Sequence, residues 1–198
     1  MDRVSSVDAM LLVMMAFFIL LLPLQWILAV ILAAGFHELC HYLAIKSCGG
    51  EVHGINFGIS GISMRVSGLT EWKEMICSLA GPAGGAVLLI FARWIPRIAI
   101  CASIQSLFNL LPVYPLDGGR ALRCVLIRYI RGEQAERISD LIGSVVVIGI
   151  CVVGIVGSIL FRVGVFPILV SSFVALRGIY EKYLANRSHI RYNRGNTK

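Results

Sequence analysis

His37-Glu38-Leu39-Cys40-His41 sets two imidazoles four residues apart, with a carboxylate next to the first. On a helix, His37 and His41 lie on one face about one turn apart, where their rings can take adjacent corners of a tetrahedral metal. Glu38, one step round, can reach a water at such a metal and act as general base, which is the pattern of metal-assisted hydrolysis. A catalytic zinc site takes three protein ligands and keeps one position open, so the pentad needs a partner elsewhere. The stretch Asn109-Leu110-Leu111-Pro112-Val113-Tyr114-Pro115-Leu116-Asp117-Gly118-Gly119-Arg120 offers one. Its two prolines and two glycines unwind an apolar span, which is tolerated at membrane depth only against protein or a water-filled cavity. Asp117 sits in that break and supplies a third ligand beside His37 and His41. Asn109, about two turns earlier, can donate a hydrogen bond to a developing oxyanion or make a polar contact between helices, and spacing alone leaves both open.

Other polar groups near these motifs read as structural. Cys40 precedes His41 and points away from His37. Arg120, three residues after Asp117, could pair with it but reads as snorkelling to the interface. A purely structural cluster of His, Glu and Asp would cost several kcal/mol in lipid unless paired or metal-bound, so function is the default for such groups.

These residues are carried by a strongly apolar chain. Of 198 residues, 58% are hydrophobic, and no charge falls between Ala9 and Phe36. This is the composition of a polytopic membrane protein rather than a soluble globule. The apolar N-terminal run is too long for a signal peptide and has acidic Asp2 and Asp8 around Arg3. The net charge of +7 is distributed in loops between apolar stretches, which sets membrane orientation and argues against nucleic-acid binding. The six cysteines form no C-x-x-C pair and lie mostly in spans, as small apolar residues without a disulfide framework.

The expected architecture is all-α with six transmembrane helices and a short membrane-associated β region between helices 2 and 3. Pro23 divides the first apolar stretch into helices over about 5–22 and 24–46, the second carrying the pentad. Residues 51–68 alternate apolar and polar with Gly punctuation and read as two or three short strands with turns at Gly54, Gly58 and Gly61. This is either a surface hairpin or an edge that pairs with an extended peptide substrate. His53 there reads as a loop residue. A third helix over 71–93 contains Gly81 and Gly85, a small-x-x-x-small pair for close helix approach, with Pro82 as a kink. A fourth over 96–130 is broken at 109–119, and plain apolar helices follow at 138–161 and 164–185. Residues 1–185 form one domain, and 186–198 a basic tail suited to anionic lipid.

With six spans, every Lys and Arg except Arg93, Arg97 and Arg162 falls on the side of both termini, which makes that side cytoplasmic. At the helical rise, the pentad lies roughly 20 Å and Asp117 roughly 30 Å from the external ends of their spans. Both fall in the cytoplasmic half, as one shared site requires.

The pentad and the Asn109–Arg120 motif together resemble the site-2 protease family of intramembrane zinc metalloproteases, over about Leu24 to Tyr129. Among its branches the chain is most similar to stage IV sporulation protein FB, with six spans. The resemblance implies one zinc per chain held by His37, His41 and Asp117, with Glu38 activating water and Asn109 assisting the scissile carbonyl. It also implies a β region beside the cleft after Gly50. The expected substrate is a membrane-tethered regulatory protein such as a pro-sigma or anti-sigma factor, cleaved in a bacterial cell membrane, with a regulatory membrane protein as a further partner. Many members carry Asn at the end of the Gly-Pro motif, where this chain has Gly85. The resemblance does not extend to a PDZ-like insertion or a regulatory CBS domain, so ATP sensing is not implied. The competing class is a metal or proton transporter using the same His, Glu and Asp cluster. Against it, the sequence shows no internal repeat, and the last two spans lack charge in their cores.

Overall fold

A computed structural model describes residues 22–58 and 61–161. Along the chain it places α1 (Leu24–Ser47), β1 (Glu51–Gly58), β2 (Gly61–Ser67), α2 (Glu71–Ile90), α3 (Pro96–Asn109), α4 (Asp117–Tyr129) and α5 (Gly132–Phe161). Among the described residues, three stretches are long and apolar enough to cross a membrane: Leu24–Ser47, Glu71–Ile90 and Gly132–Leu160. The expected span over 96–130 takes the form of α3 and α4, of 14 and 13 residues, separated by the unwound segment. The expected helix over 164–185 and the tail 186–198 lie outside the described residues, as does that over 5–22 apart from Leu22.

Small residues form the interior, and large apolar ones face outward. Ala29, Ala33, Ala99, Ala102, Ala121 and Ala135 are buried, whereas Leu24, Ile31, Leu32, Ile90, Leu107 and Leu141 are exposed. That inverts the pattern of a water-soluble core. In lipid there is no hydrophobic gain in hiding a leucine, and small side chains let helices approach for van der Waals contact.

The approach is tightest along one face of α2. A Cβ at Gly81 would meet the rings of His37 and His41, one at Gly84 would meet Cys40 and Phe36, and one at Gly85 would meet Ser106 and the Ala102 carbonyl. Glycines at these three positions therefore seat α1 and α3 against α2. Pro82 lies within the same stretch and is buried. It has no N–H to give the helix, so the kinkable turn falls where the helices pack closest.

A glycine also ends α1. Gly49 has φ +79, the left-handed region that favours glycine. The Gly50 N–H donates to Ile45 O at 2.9 Å and the Gly49 N–H to Lys46 O at 3.1 Å, the paired bonds of a Schellman cap.

Beyond the cap, β1 and β2 form a two-stranded antiparallel sheet, Glu51 opposite Ser67 and Gly58 opposite Gly61. Gly54, expected at a turn, instead lies inside β1 opposite Arg65, beside an irregularity between Val52 and Gly54. A glycine within a strand suits such a bulge.

The segment between α3 and α4 is held by backbone contacts. Val113 N–H donates to Leu111 O at 2.7 Å and Leu116 N–H to Val113 O at 2.9 Å. Gly118 and Gly119, at the start of α4, lie against the backbones of Leu110–Leu111 and Val113–Tyr114, so the segment packs directly on the helix it introduces.

By internal packing the chain divides into residues 1–143 and 144–198. In the first unit, the opening turns of α5 present buried Ala135, Ser139 and Gly143 at four-residue intervals. Gly143 lies against Pro112 and Val113. An ion pair between Arg123 and Glu136 joins α4 to α5. The second unit is described as far as Phe161 and is helical throughout that part.

Candidate metal centre

Three side chains from two distant segments converge. His37 and His41 project from one face of α1, and Asp117 enters from the first turn of α4. The distances are 3.0 Å from His37 Nε2 to Asp117 Oδ2, 3.2 Å from His41 Nε2 to Asp117 Oδ2, and 3.1 Å between the two Nε2 atoms. The rings meet edge to face, 4.7 Å between centroids. His37 is 4% exposed and Asp117 9%. Among the described residues this is the group of three whose ligand atoms lie close enough to share a metal.

His41 decides what such a cluster needs. Its Nδ1 lies 2.7 Å from the carbonyl oxygen of Cys77. A carbonyl only accepts, so the proton is on Nδ1 and, in the neutral ring, Nε2 presents a lone pair. That lone pair faces a carboxylate oxygen and the Nε2 of a second histidine. Acceptors converging in an apolar surrounding require a cation between them or an added proton. One divalent ion satisfies all three donors at once, and two imidazoles with one carboxylate match the ligand chemistry of a catalytic zinc with an open position. The residues present therefore fit a zinc ion.

The cluster depends on its walls. Gly81 of α2 covers both rings, and a Cβ there would lie 2.7 Å from His37 Nε2. Any larger residue would displace the ligand atoms. Asn109, the last residue of α3, brings Nδ2 to 3.2 Å from His37 Nε2. The Asn109 amide thus borders the donors and can also reach a group bound beside them. Glu38 is half-buried and within electrostatic reach of His37, His41, Asp117 and Arg120. It makes no hydrogen bond with any described residue, which leaves its carboxylate available to a water.

His37, Glu38, His41, Asn109 and Asp117 are thus brought to one place. Cys40 packs on Gly84 outside the donor cluster. His53 is on the exposed hairpin, with Nε2 2.5 Å from Ser67 Oγ and 3.8 Å from Glu51 Oε2. Arg120 forms no ion pair with Asp117. Two contributors have weak sequence signals. The Cys77 carbonyl that orients His41 is a backbone group, for which residue type gives no clue. Gly81 reads from sequence as a packing residue, and its place over the ligands shows only in three dimensions.

Comparison with known proteins gives concordant results. The family model described as Peptidase M50B-like matches residues 10–116. Over 118 residues the chain is 33% identical to sll0528 of Synechocystis sp., whose name assigns it to the zinc metalloproteases. That match covers 52% of this chain and 31% of the relative. It is 28% identical over 153 residues to the zinc metalloprotease MJ0392 of Methanocaldococcus jannaschii, covering 70% of this chain and 43% of that one. The chain therefore spans less than half the length of either relative. Among solved structures, the site-2 protease from Methanocaldococcus jannaschii superposes with a TM-score of 0.64 at 23% identity, covering 88% of this chain and 86% of that one. This likeness shows a shared fold.

Proposed function

Since the chain belongs to the Peptidase M50B-like family, we propose that it is an intramembrane zinc metalloendopeptidase, with His37, His41 and Asp117 as the zinc ligands and Glu38 and Asn109 as catalytic residues. The observation that carries this reading is the His41 tautomer fixed by the Cys77 carbonyl, which aims a lone pair at Asp117 and His37.

His37, His41 and Asp117 would hold the zinc, which would supply Lewis acidity towards a peptide carbonyl and a water beside it. Glu38 accepts the proton of that water as it attacks the carbonyl carbon, and then delivers it to the leaving amine. Asn109 Nδ2 donates a hydrogen bond to the oxygen on which negative charge develops. His41 is held in register by Cys77 O, so the donors need little rearrangement during the reaction. Gly81 keeps the wall of the site flat enough for both rings.

A peptide bond must be unwound and wetted before it can be cut. The non-helical segment Leu110–Leu116 beside Asp117 is a route for water at membrane depth. The two-stranded hairpin has outer edges left unpaired among the described residues, which can take an extended peptide by main-chain bonds. The substrate we propose is a membrane-tethered regulatory protein such as a pro-sigma or anti-sigma factor, cut near the cytoplasmic face of a bacterial membrane. The sequence resemblance to the sporulation branch and the distribution of Lys and Arg support this finer reading. Both ends of the 198-residue chain are then on the cytoplasmic side, with six spans between them. A transporter is not favoured, because the matches are to peptidases and zinc metalloproteases.

The test compares purified wild type with Glu38→Gln on membrane-tethered peptides, with zinc measured in both. Zinc near one per chain in each, and cleavage reduced at least about a hundredfold in the variant, is expected for a lost general base. Retained cleavage by zinc-loaded Glu38→Gln would remove Glu38 from this role.

A further inference from the structure

The two histidines differ in what holds their far nitrogens. His41 Nδ1 has Cys77 O, whereas His37 Nδ1 is buried with no hydrogen-bond partner among the described residues. If His37 Nε2 faces a metal, its proton is on Nδ1 and requires an acceptor. A second orphan lies nearby. Ser106 Oγ is also buried without a described partner, and Ser106 is 7% exposed against 4% for His37.

The packing brings these groups to one wall. Gly81 abuts the His37 ring, and Gly85, one turn further along α2, abuts Ser106 Oγ. On α3, Asn109 stands 3.2 Å from His37 Nε2 and Ser106 is one turn before it. Successive turns of a helix set residues about 5–6 Å apart, so Ser106 lies one layer from the polar groups around His37, and a water can bridge polar groups too far apart to bond directly. The side chain of His37 also leans towards the start of α1, the direction of the Ser106 layer. Beyond Ser106 the packing becomes apolar, with Ala33, Leu88 and Ala102. The other buried side-chain atom without a described partner, Ser139 Oγ, belongs to α5, and Ser103 Oγ is already engaged with Ala99 O.

We propose that Ser106 is the positioning residue of His37, its Oγ accepting the His37 Nδ1–H through one water. Gly85 is part of the same device, since a Cβ at that position would displace the Ser106 hydroxyl. Each ligand histidine is then oriented by a different neighbour, His41 by the backbone of α2 and His37 by a side chain of α3. This inference rests on the reading of His37 as a zinc ligand.

The experiment uses the full chain in detergent, labelled with 15N-histidine and loaded with zinc. In wild type, the His37 Nδ1–H resonance is expected downfield and protected from exchange, as is that of His41. In Ser106→Ala, the His37 signal should move upfield or be lost to exchange while the His41 signal stays. Zinc affinity, measured by chelator competition, should fall about tenfold, within the range typical of lost ligand-orienting partners. Ser103→Ala is the control, because Ser103 Oγ donates to Ala99 O at 2.6 Å within its own helix. It should bind zinc within twofold of wild type. An unchanged His37 signal in folded Ser106→Ala overturns the proposal. If that variant does not fold, the structure of zinc-loaded wild type decides: an Oγ sharing no water with His37 Nδ1 also overturns it. Wild type that binds no zinc would instead strike at the metal reading itself.

Discussion

The donor cluster and the β-hairpin are neighbours along the chain and opposites in construction. His37, His41 and Asp117 are gripped between helices, with glycine at 81 leaving no slack against the rings. The hairpin is a pair of strands with glycines at positions 54, 58 and 61, an irregular ladder near Val52 and exposed polar groups at Glu51, His53 and Ser67. Metal chemistry demands atoms fixed to a few tenths of an ångström, which close helix packing provides. Accepting an extended chain demands free backbone donors and acceptors, which a sheet edge provides. In the function proposed above, one region stays still and the other is completed by an extended substrate.

The largest expected effect breaks the first region outright. Asp117→Asn keeps the shape but replaces an anionic ligand with a neutral amide. Zinc affinity should fall by more than about a hundredfold, beyond the loss typical of ligand-orienting partners, and cleavage should disappear. Metal content after dialysis against a weak chelator reads this, and normal zinc in the variant would take Asp117 out of the ligand set.

Gly81→Ala tests whether the wall matters as much as the ligands. The added Cβ would lie 2.7 Å from His37 Nε2, so a ring or a helix must move. Overpacking of this kind costs about 1–3 kcal/mol. Reduced thermal stability together with about tenfold weaker zinc is the expected outcome. A variant that melts early yet binds zinc normally would show that the helices, not the rings, give way.

Much of the fixed region was legible in the sequence, for a simple reason. Helical periodicity converts the His37–His41 spacing into a shared face, and a carboxylate among prolines and glycines inside an apolar span identifies Asp117. What stayed hidden lacks a side-chain signature or depends on packing. Cys77 acts through its carbonyl, and Ser106 resembles any small residue on a helix. Gly85 reads as a packing position until its neighbour is known. Hydropathy starts the following helix near Ile138, but α5 extends back to Gly132. Its opening turn is polar, tied by Arg123 to Glu136 and by buried Ala135, none of which a hydropathy window detects. In the hairpin, glycine signals a turn or a bulge alike, so Gly54 is misplaced by residue type alone.

A proline in the hairpin sharpens the contrast from the other side. Val52→Pro or Arg65→Pro removes one main-chain donor from a strand without touching the donor cluster. Zinc content should stay at the wild-type level, while kcat/KM on an extended peptide falls about tenfold, chiefly through KM, as expected for lost uniform binding. Zinc loss in either variant would mean that the hairpin braces the metal site after all.

The smallest expected effect concerns His53, a histidine with a hydroxyl and a carboxylate beside it. Its Nε2 is near Ser67 Oγ and Glu51 Oε2, a superficial likeness to the donor set of the buried site. The difference is solvent. Both His53 and Glu51 are largely exposed, so water satisfies them and no cation is required, whereas His37, His41 and Asp117 are nearly shut off from solvent. His53→Ala should therefore leave zinc near one per chain and shift stability by no more than about 0.5 kcal/mol, as for an ordinary surface substitution. Metal analysis and a melting curve read both. A drop in zinc stoichiometry would show that the exposed trio also holds an ion, and burial would no longer be what separates a metal centre from a surface histidine in this protein.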